Sequence, residues 1–174
     1  MFKSVLLIML MSFITTPIFA EPKPTDTESI ASKNLEESNK FFEKNKKKAE
    51  VKTLPSGLQY KVIKQGTGTS PGPQDFVHIL YRGTLLDGTE FERSTEAPST
   101  FQLSNLIPGW VEALQLMKVG AKWIIYVPAN LAYGKTGVNA KIGPNAGLIF
   151  EIELVDVMAP PDNEETDVLE QKEN

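Results

Sequence analysis

The chain has no cysteine and only one histidine, His78, in 174 residues. The first absence excludes a disulfide framework, thiolate metal ligands, thiol catalysis and a lipid-bearing cysteine anchor. The second leaves no ligand set for a zinc centre and no imidazole to spare for serine–histidine hydrolysis. His78 alternates away from Tyr81 in "VHILYRG" and reads as a half-exposed strand residue. No phosphate loop occurs. Positive charge is not in excess either: 18 basic residues face 22 acidic ones, a net charge of −4. Charge therefore argues against a polyanion such as nucleic acid as a partner.

The one long apolar run is at the start. "MFKSVLLIMLMSFITTPIFA" carries Lys3, an apolar or hydroxylic stretch and a small residue at Ala20, the pattern of a secretory signal peptide over residues 1–20. Its strongly apolar part spans roughly a dozen residues, short of the ~20 that cross a bilayer. Cleavage after Ala20 is expected, with export to the periplasm or outer envelope and no stable membrane insertion. Without disulfides, the exported chain has to be held by its core.

Residues 21–52 read as a polar leader followed by an exposed helix. "EPKPTDT" is proline-spaced, and from about Ser29 to Glu50 proline and glycine disappear. Leu35, Phe42 and Ala49 form only a thin seven-residue seam. Lys44, Lys46, Lys47 and Lys48 are interleaved with acids and read as a solvated face. So short and thinly apolar a segment predicts a monomer. At the other end, residues 159–174 are acidic and hydrophilic, with the composition of a disordered tail.

Between these ends, over residues 53–158, the pattern changes to period two. Pro55, Ser56 and Gly57 break the helical composition, and Leu58, Tyr60 and Val62 then alternate with polar residues. Val77, Ile79 and Tyr81 share a strand face, Asp87-Gly88 marks a hairpin, and "KWIIYVP" is a strand stopped by Pro128. In "LIFEIELVDV", Leu148, Phe150, Ile152 and Leu154 point one way and Glu151 and Glu153 the other. The total is about five mainly antiparallel strands with one apolar face. Trp110, Ala113, Leu114 and Met117 then supply one short amphipathic helix, with Gly120 as its stop signal. Laid across the sheet, that helix presents Trp110 at one end, where an indole can floor a cavity.

Glu90 and Glu92, two apart on a strand, could suggest a two-carboxylate hydrolase, but such pairs usually face each other across a cleft, and these read as a solvated strand face. What stands out instead is a set of aromatics where loops meet strands: Tyr81, Phe91, Phe101, Trp110, Tyr133 and Phe150. Aromatics at element ends line pockets more readily than they fill a core centre.

"YRGTLLDGTEFERS", "FQLSNLIPGWVEALQLMKVGAKWIIYVPANLAYG" and "IGPNAGLIFEIELVDV" together resemble the FKBP-type peptidyl-prolyl cis-trans isomerases, in particular the secreted bacterial macrophage infectivity potentiator group. The resemblance runs from about Thr53 to Met158. It implies an α+β fold in which a five-stranded antiparallel half-barrel wraps one short amphipathic helix, preceded by an N-terminal helical segment. It also implies prolyl isomerisation of unfolded or folding polypeptides, with possible chaperone activity, a macrolide as a further ligand, and neither cofactor nor metal. The family's proline pocket maps onto Tyr81, Phe91, Phe101, Leu106, Ile107, Trp110, Tyr133, Ile142 and Phe150, with Trp110 as its floor. The Ile107 N–H and the Tyr133 hydroxyl would donate to substrate carbonyls. One departure is clear: Phe91-Glu92 stands where the family has Phe-Asp, and Ala97 where some members carry arginine. That acid ordinarily bonds the tyrosine at position 81, so a longer one opens a second reading, a module that grips proline segments with little catalysis.

Overall fold

A computed structural model of the chain describes residues 25–161. The expected signal peptide, the first residues of the leader and the tail from 162 onward lie outside the described residues. The described chain runs α1 (Asp26–Asn45), β1 (Lys52–Thr53), β2 (Gln59–Lys64), β3 (Phe76–Leu85), β4 (Glu90–Arg93), β5 (Ser99–Gln102), α2 (Pro108–Leu116), β6 (Lys122–Val127) and β7 (Leu148–Met158).

All strand pairings are antiparallel, in the order β1-β2-β6-β7-β3-β4, with β5 pairing the other half of β3. The sheet therefore has seven strands rather than about five. The additional strands are short: β1 has two residues and β5 has four, too few to show an alternating pattern. Where strands are long, alternation predicted the faces correctly. Leu148, Phe150, Ile152 and Leu154 of β7 are buried, while Glu151 sits outside and meets Lys122 at 2.6 Å. The Asp87-Gly88 hairpin is present too, with Gly88 at φ 90° and the Leu85 N–H donating to Thr89 O at 2.8 Å.

Helix α2 packs its buried residues Trp110, Ala113 and Leu114 into one apolar cluster with Val77, Ile79, Trp123, Ile125, Val127 and the inward residues of β7. It ends earlier than expected. Met117 caps it in an extended conformation, and Gly120, at φ 87°, instead shapes the turn into β6.

The larger correction concerns α1. It starts at Asp26, where Thr25 and Glu28 form a reciprocal capping box, and stops at Asn45 rather than near Glu50. Nor is it a fully exposed helix, because it covers the outer face of the sheet where β2 meets β6. Gln59 and Tyr126, opposite each other across those strands, are both buried although they point away from the main core. Phe41 lies 5.7 Å from the Tyr126 ring, and buried Asn45 donates to Gln59 Oε1 at 2.9 Å. Two further bonds tie α1 to the loop before β7: Asn34 Nδ2 to Pro144 O at 2.8 Å, and Asn145 Nδ2 to Ala31 O at 3.1 Å.

Candidate functional site

The sequence "IPGW" acquires its reason from the start of α2. Pro108 occupies the first helical turn, where its missing N–H loses nothing, and Ile107 caps the helix through its carbonyl, accepting from Trp110 N at 2.9 Å. Gly109 lets the helix start press against the end of β6, because a Cβ there would lie 2.5 Å from Val127 Cγ1. That approach lays the Trp110 indole under the sheet's open end.

Above it is a cavity of about 220 Å³ lined by Tyr81, Phe101, Asn105, Leu106, Ile107, Trp110, Tyr133 and Phe150. Strands β3, β5 and β7, the turn before α2, and the loop after β6 each contribute. Trp110 stands edge-on to Phe150 at 5.0 Å, Tyr81 at 5.2 Å and Phe101 at 6.3 Å, so the floor and three walls brace one another.

Seven of the sequence-predicted residues thus line one cavity, and three do not. Phe91 is buried and stands edge-on to Phe150 at 5.6 Å, supporting that wall from outside the cavity lining. Ile142 is buried in the same apolar cluster rather than on the lining. Glu92 is exposed but acts on the site electrically. Burial first, then the Glu92 charge and its hydrogen-bonding reach, push the Tyr81 hydroxyl up to about 12. Burial and the same carboxylate also raise Tyr133. Asn105 was not foreseen; a polar turn residue bonded to Gln102 carries no sequence signal for a pocket. The grip of Lys141 Nζ on Phe91 O at 3.2 Å was equally invisible.

Two backbone and hydroxyl donors are uncommitted. Neither the Ile107 N–H nor the Tyr133 hydroxyl donates to an acceptor among the described residues. They sit at the cavity with no nucleophile or acid–base pair beside them. Glu90, the other half of the acidic pair, is held on the outer surface by Arg93 and by Arg82, whose Nε lies 2.6 Å away, and its pKa falls to about 2. Held ionised in this way, Glu90 does not supply the general acid that a two-carboxylate hydrolase needs. Gly68-Thr69-Ser70-Pro71-Gly72 spells a nucleophile-elbow pattern, but it lies in the loop between β2 and β3, not on a strand-to-helix turn. A larger groove of about 550 Å³ runs between α1 and the β2–β6 end, but it contains none of the predicted site residues.

The raised Tyr81 pKa gives a testable pH dependence. The phenol ordinarily titrates at 10.0, so a folded value near 12 favours the protonated folded state. This stabilisation is fully present below pH 10 and is lost as pH rises toward 12. Urea midpoints followed across that range should fall, and the fall should be shallower in Tyr81→Phe.

Residues 67–155 match the family described as FKBP-type peptidyl-prolyl cis-trans isomerase. The chain belongs to that family. Residues 14–62 match the domain amino terminal to the FKBP-type isomerase, which includes α1. Among FKBP-type relatives, the outer membrane protein MIP of Legionella longbeachae is 51% identical over 129 residues, 73% of this chain and 55% of that protein. The FKBP-type 22 kDa peptidyl-prolyl cis-trans isomerase of Escherichia coli is 45% identical, over 70% of this chain and 60% of that one. The chain spans about half the length of such curated FKBP-type relatives. In three dimensions it resembles the crystal structure of FkpA from Escherichia coli, with a TM-score of 0.75 and 42% identity over 78% of this chain and 64% of that one. An isomerase structure from Pseudomonas syringae gives a TM-score of 0.71 and 37% identity, covering 79% of this chain and all of that one.

Proposed function

We propose that the aromatic cavity binds proline and that the chain accelerates cis–trans rotation of prolyl bonds in exported polypeptides. The observation that carries this reading is the uncommitted Ile107 N–H at the rim of an apolar cavity floored by Trp110. Rotation of a prolyl amide faces a barrier of ~20 kcal/mol because resonance is lost, and the twisted amide has less charge separation than the planar one. A dry aromatic cavity therefore disfavours the planar form relative to the twisted one. The Ile107 N–H and Tyr133 hydroxyl would hold the flanking carbonyls while the bond turns, with Tyr81, Phe91, Phe101, Leu106, Ile142 and Phe150 shaping the apolar enclosure. No side chain needs to exchange a proton.

Export is supported by the signal-peptide pattern and by the likeness to an outer membrane protein of Legionella longbeachae. No helix among the described residues is long and apolar enough to cross a membrane. Clients are then unfolded or slowly folding envelope proteins, a setting that also suits chaperone activity and a monomer. Light scattering at micromolar concentration should give a monomer or a weakly associated dimer. The same cavity would accept a macrolide.

A proline-limited refolding assay tests the enzyme reading, and Glu92 sharpens it. Because the carboxylate already acts on Tyr81 and Tyr133 but is itself exposed, Glu92→Ala should lower kcat/KM by about three- to tenfold, the worth of roughly one ordinary hydrogen bond. Glu92→Asp should stay much nearer wild type. If wild type binds a prolyl peptide without accelerating refolding, the chain is a proline-gripping module instead.

A further inference from the structure

Helix α1 is linked to the cavity by a continuous series of bonds. Ala31 O, in α1, accepts from Asn145 Nδ2 at 3.1 Å. The backbone N–H of the same Asn145 donates to Gly134 O at 2.9 Å, closing the two ends of the 134–145 loop on each other. Gly134 follows Tyr133 directly, and its own N–H donates to Ala129 O at 2.8 Å. Next to Asn145, Pro144 O accepts from Asn34 Nδ2 at 2.8 Å, so α1 both donates to and accepts from this loop. Asn145 is also the one non-glycine residue with positive φ, 57°, among the described residues. Asparagine tolerates that region better than most residues, yet glycine would satisfy the backbone at least as well. A side chain kept at such a position is explained by the bond it makes.

We infer that Asn145 and Asn34 are positioning residues through which α1 holds Tyr133 in the proline pocket. The inference rests on the proposed proline-binding reading of that cavity. Tyr133 packs against the apolar cluster from one side, and the turn that carries it is held by the Gly134 N–H on Ala129 O and by the Asn145 N–H on Gly134 O. When α1 releases the loop, Tyr133 samples positions outside the pocket, and only the fraction of molecules with the loop closed binds substrate productively. Apparent affinity falls by that fraction, while turnover of the closed form is unchanged. Residues of the amino-terminal helix, far from the cavity in sequence, thereby set how well the substrate is held.

The test compares the full chain with Asn145→Gly, which keeps the positive φ and removes the side-chain donor, and with Asn34→Asp, which keeps size and removes the donor. Each is expected to raise KM for a prolyl peptide about three- to tenfold, the worth of one hydrogen bond, with kcat within about twofold of wild type. A purely structural role would instead lower kcat through loss of folded protein and leave KM alone, and that result would overturn the inference. Amide exchange provides a readout independent of turnover. The Asn145 and Gly134 amides should exchange faster in Asn34→Asp while those of β6 and β7 stay as in wild type. Unchanged exchange at both amides would also overturn the inference. A wild-type chain that accelerates no prolyl rotation would defeat the isomerase reading alone, and the exchange result would still decide whether α1 holds the loop.

Discussion

Trp110→Leu is expected to lower kcat/KM for a prolyl bond by about tenfold or more, with a stability loss of only about 1–3 kcal/mol. The two effects separate because they have different sources. Stability loses three edge-on ring contacts, each worth roughly 0.5–1.5 kcal/mol, but leucine refills part of the volume. The indole Nε1 is also buried with no acceptor, so replacing it removes a desolvated donor that costs about 1–3 kcal/mol. Catalysis has no such offset. A narrow aliphatic side chain leaves the cavity without a flat floor and lets Tyr81, Phe101 and Phe150 tilt inward. Refolding rates and urea midpoints on the same preparations give both numbers. Activity that falls only in step with the folded fraction would make Trp110 a core residue and nothing more. Peptide binding can be followed by Trp110 emission once Trp123, stacked on Tyr60 at 4.4 Å, is replaced by phenylalanine.

Gly83→Ala should be nearly as damaging by another route, costing about 1–3 kcal/mol of stability and most of the activity. Gly83 lies in β3 opposite Phe150 of β7 and Glu92 of β4. An added Cβ would stand 2.7 Å from two atoms of the Phe91 ring and 2.9 Å from Phe150 Cε1. Those rings already meet edge to face, and Phe150 is braced on Trp110, so neither retreats without moving the cavity wall. Gly88 makes the contrast. A Cβ there meets nothing within 4 Å, and only its φ of 90° resists substitution. Gly88→Ala should therefore destabilise by about 1 kcal/mol and spare kcat/KM. A Gly83→Ala chain as active as wild type would show that the Phe91–Phe150 pair does not shape the pocket.

The elements that could be read from sequence are those whose burial is apolar and periodic. β7 and α2 each face one core, and their residues alternate or recur accordingly. Trp110 and Tyr133 were legible because they sit at element ends beside glycine, whereas Tyr81 lies inside β3 and Phe150 inside β7, where position alone does not set a pocket residue apart from a core one. The docking of α1 was not legible, because beside the Phe41–Tyr126 contact its interface is held by Asn45 on Gln59, Asn34 on Pro144 and Asn145 on Ala31, hydrogen bonds to partners up to 114 positions away. No local pattern separates an asparagine that bonds such a partner from one that faces water. The effect of the extra methylene of Glu92 was not legible for a related reason: reach toward Tyr81 depends on the backbone of β4, where the register with β3 shifts between Gly83 and Thr84.

The strand order also governs when the molecule can come together. β7, the last strand among the described residues, lies between β6 and β3 and pairs with both. Until residues 148–158 are available, one half-sheet of β1, β2 and β6 and another of β3, β4 and β5 share no strand pairing. A polypeptide leaving a ribosome or a membrane pore with its amino end first cannot close this sheet prematurely. It stays threadable until residues 148–158 have emerged and can join the two half-sheets.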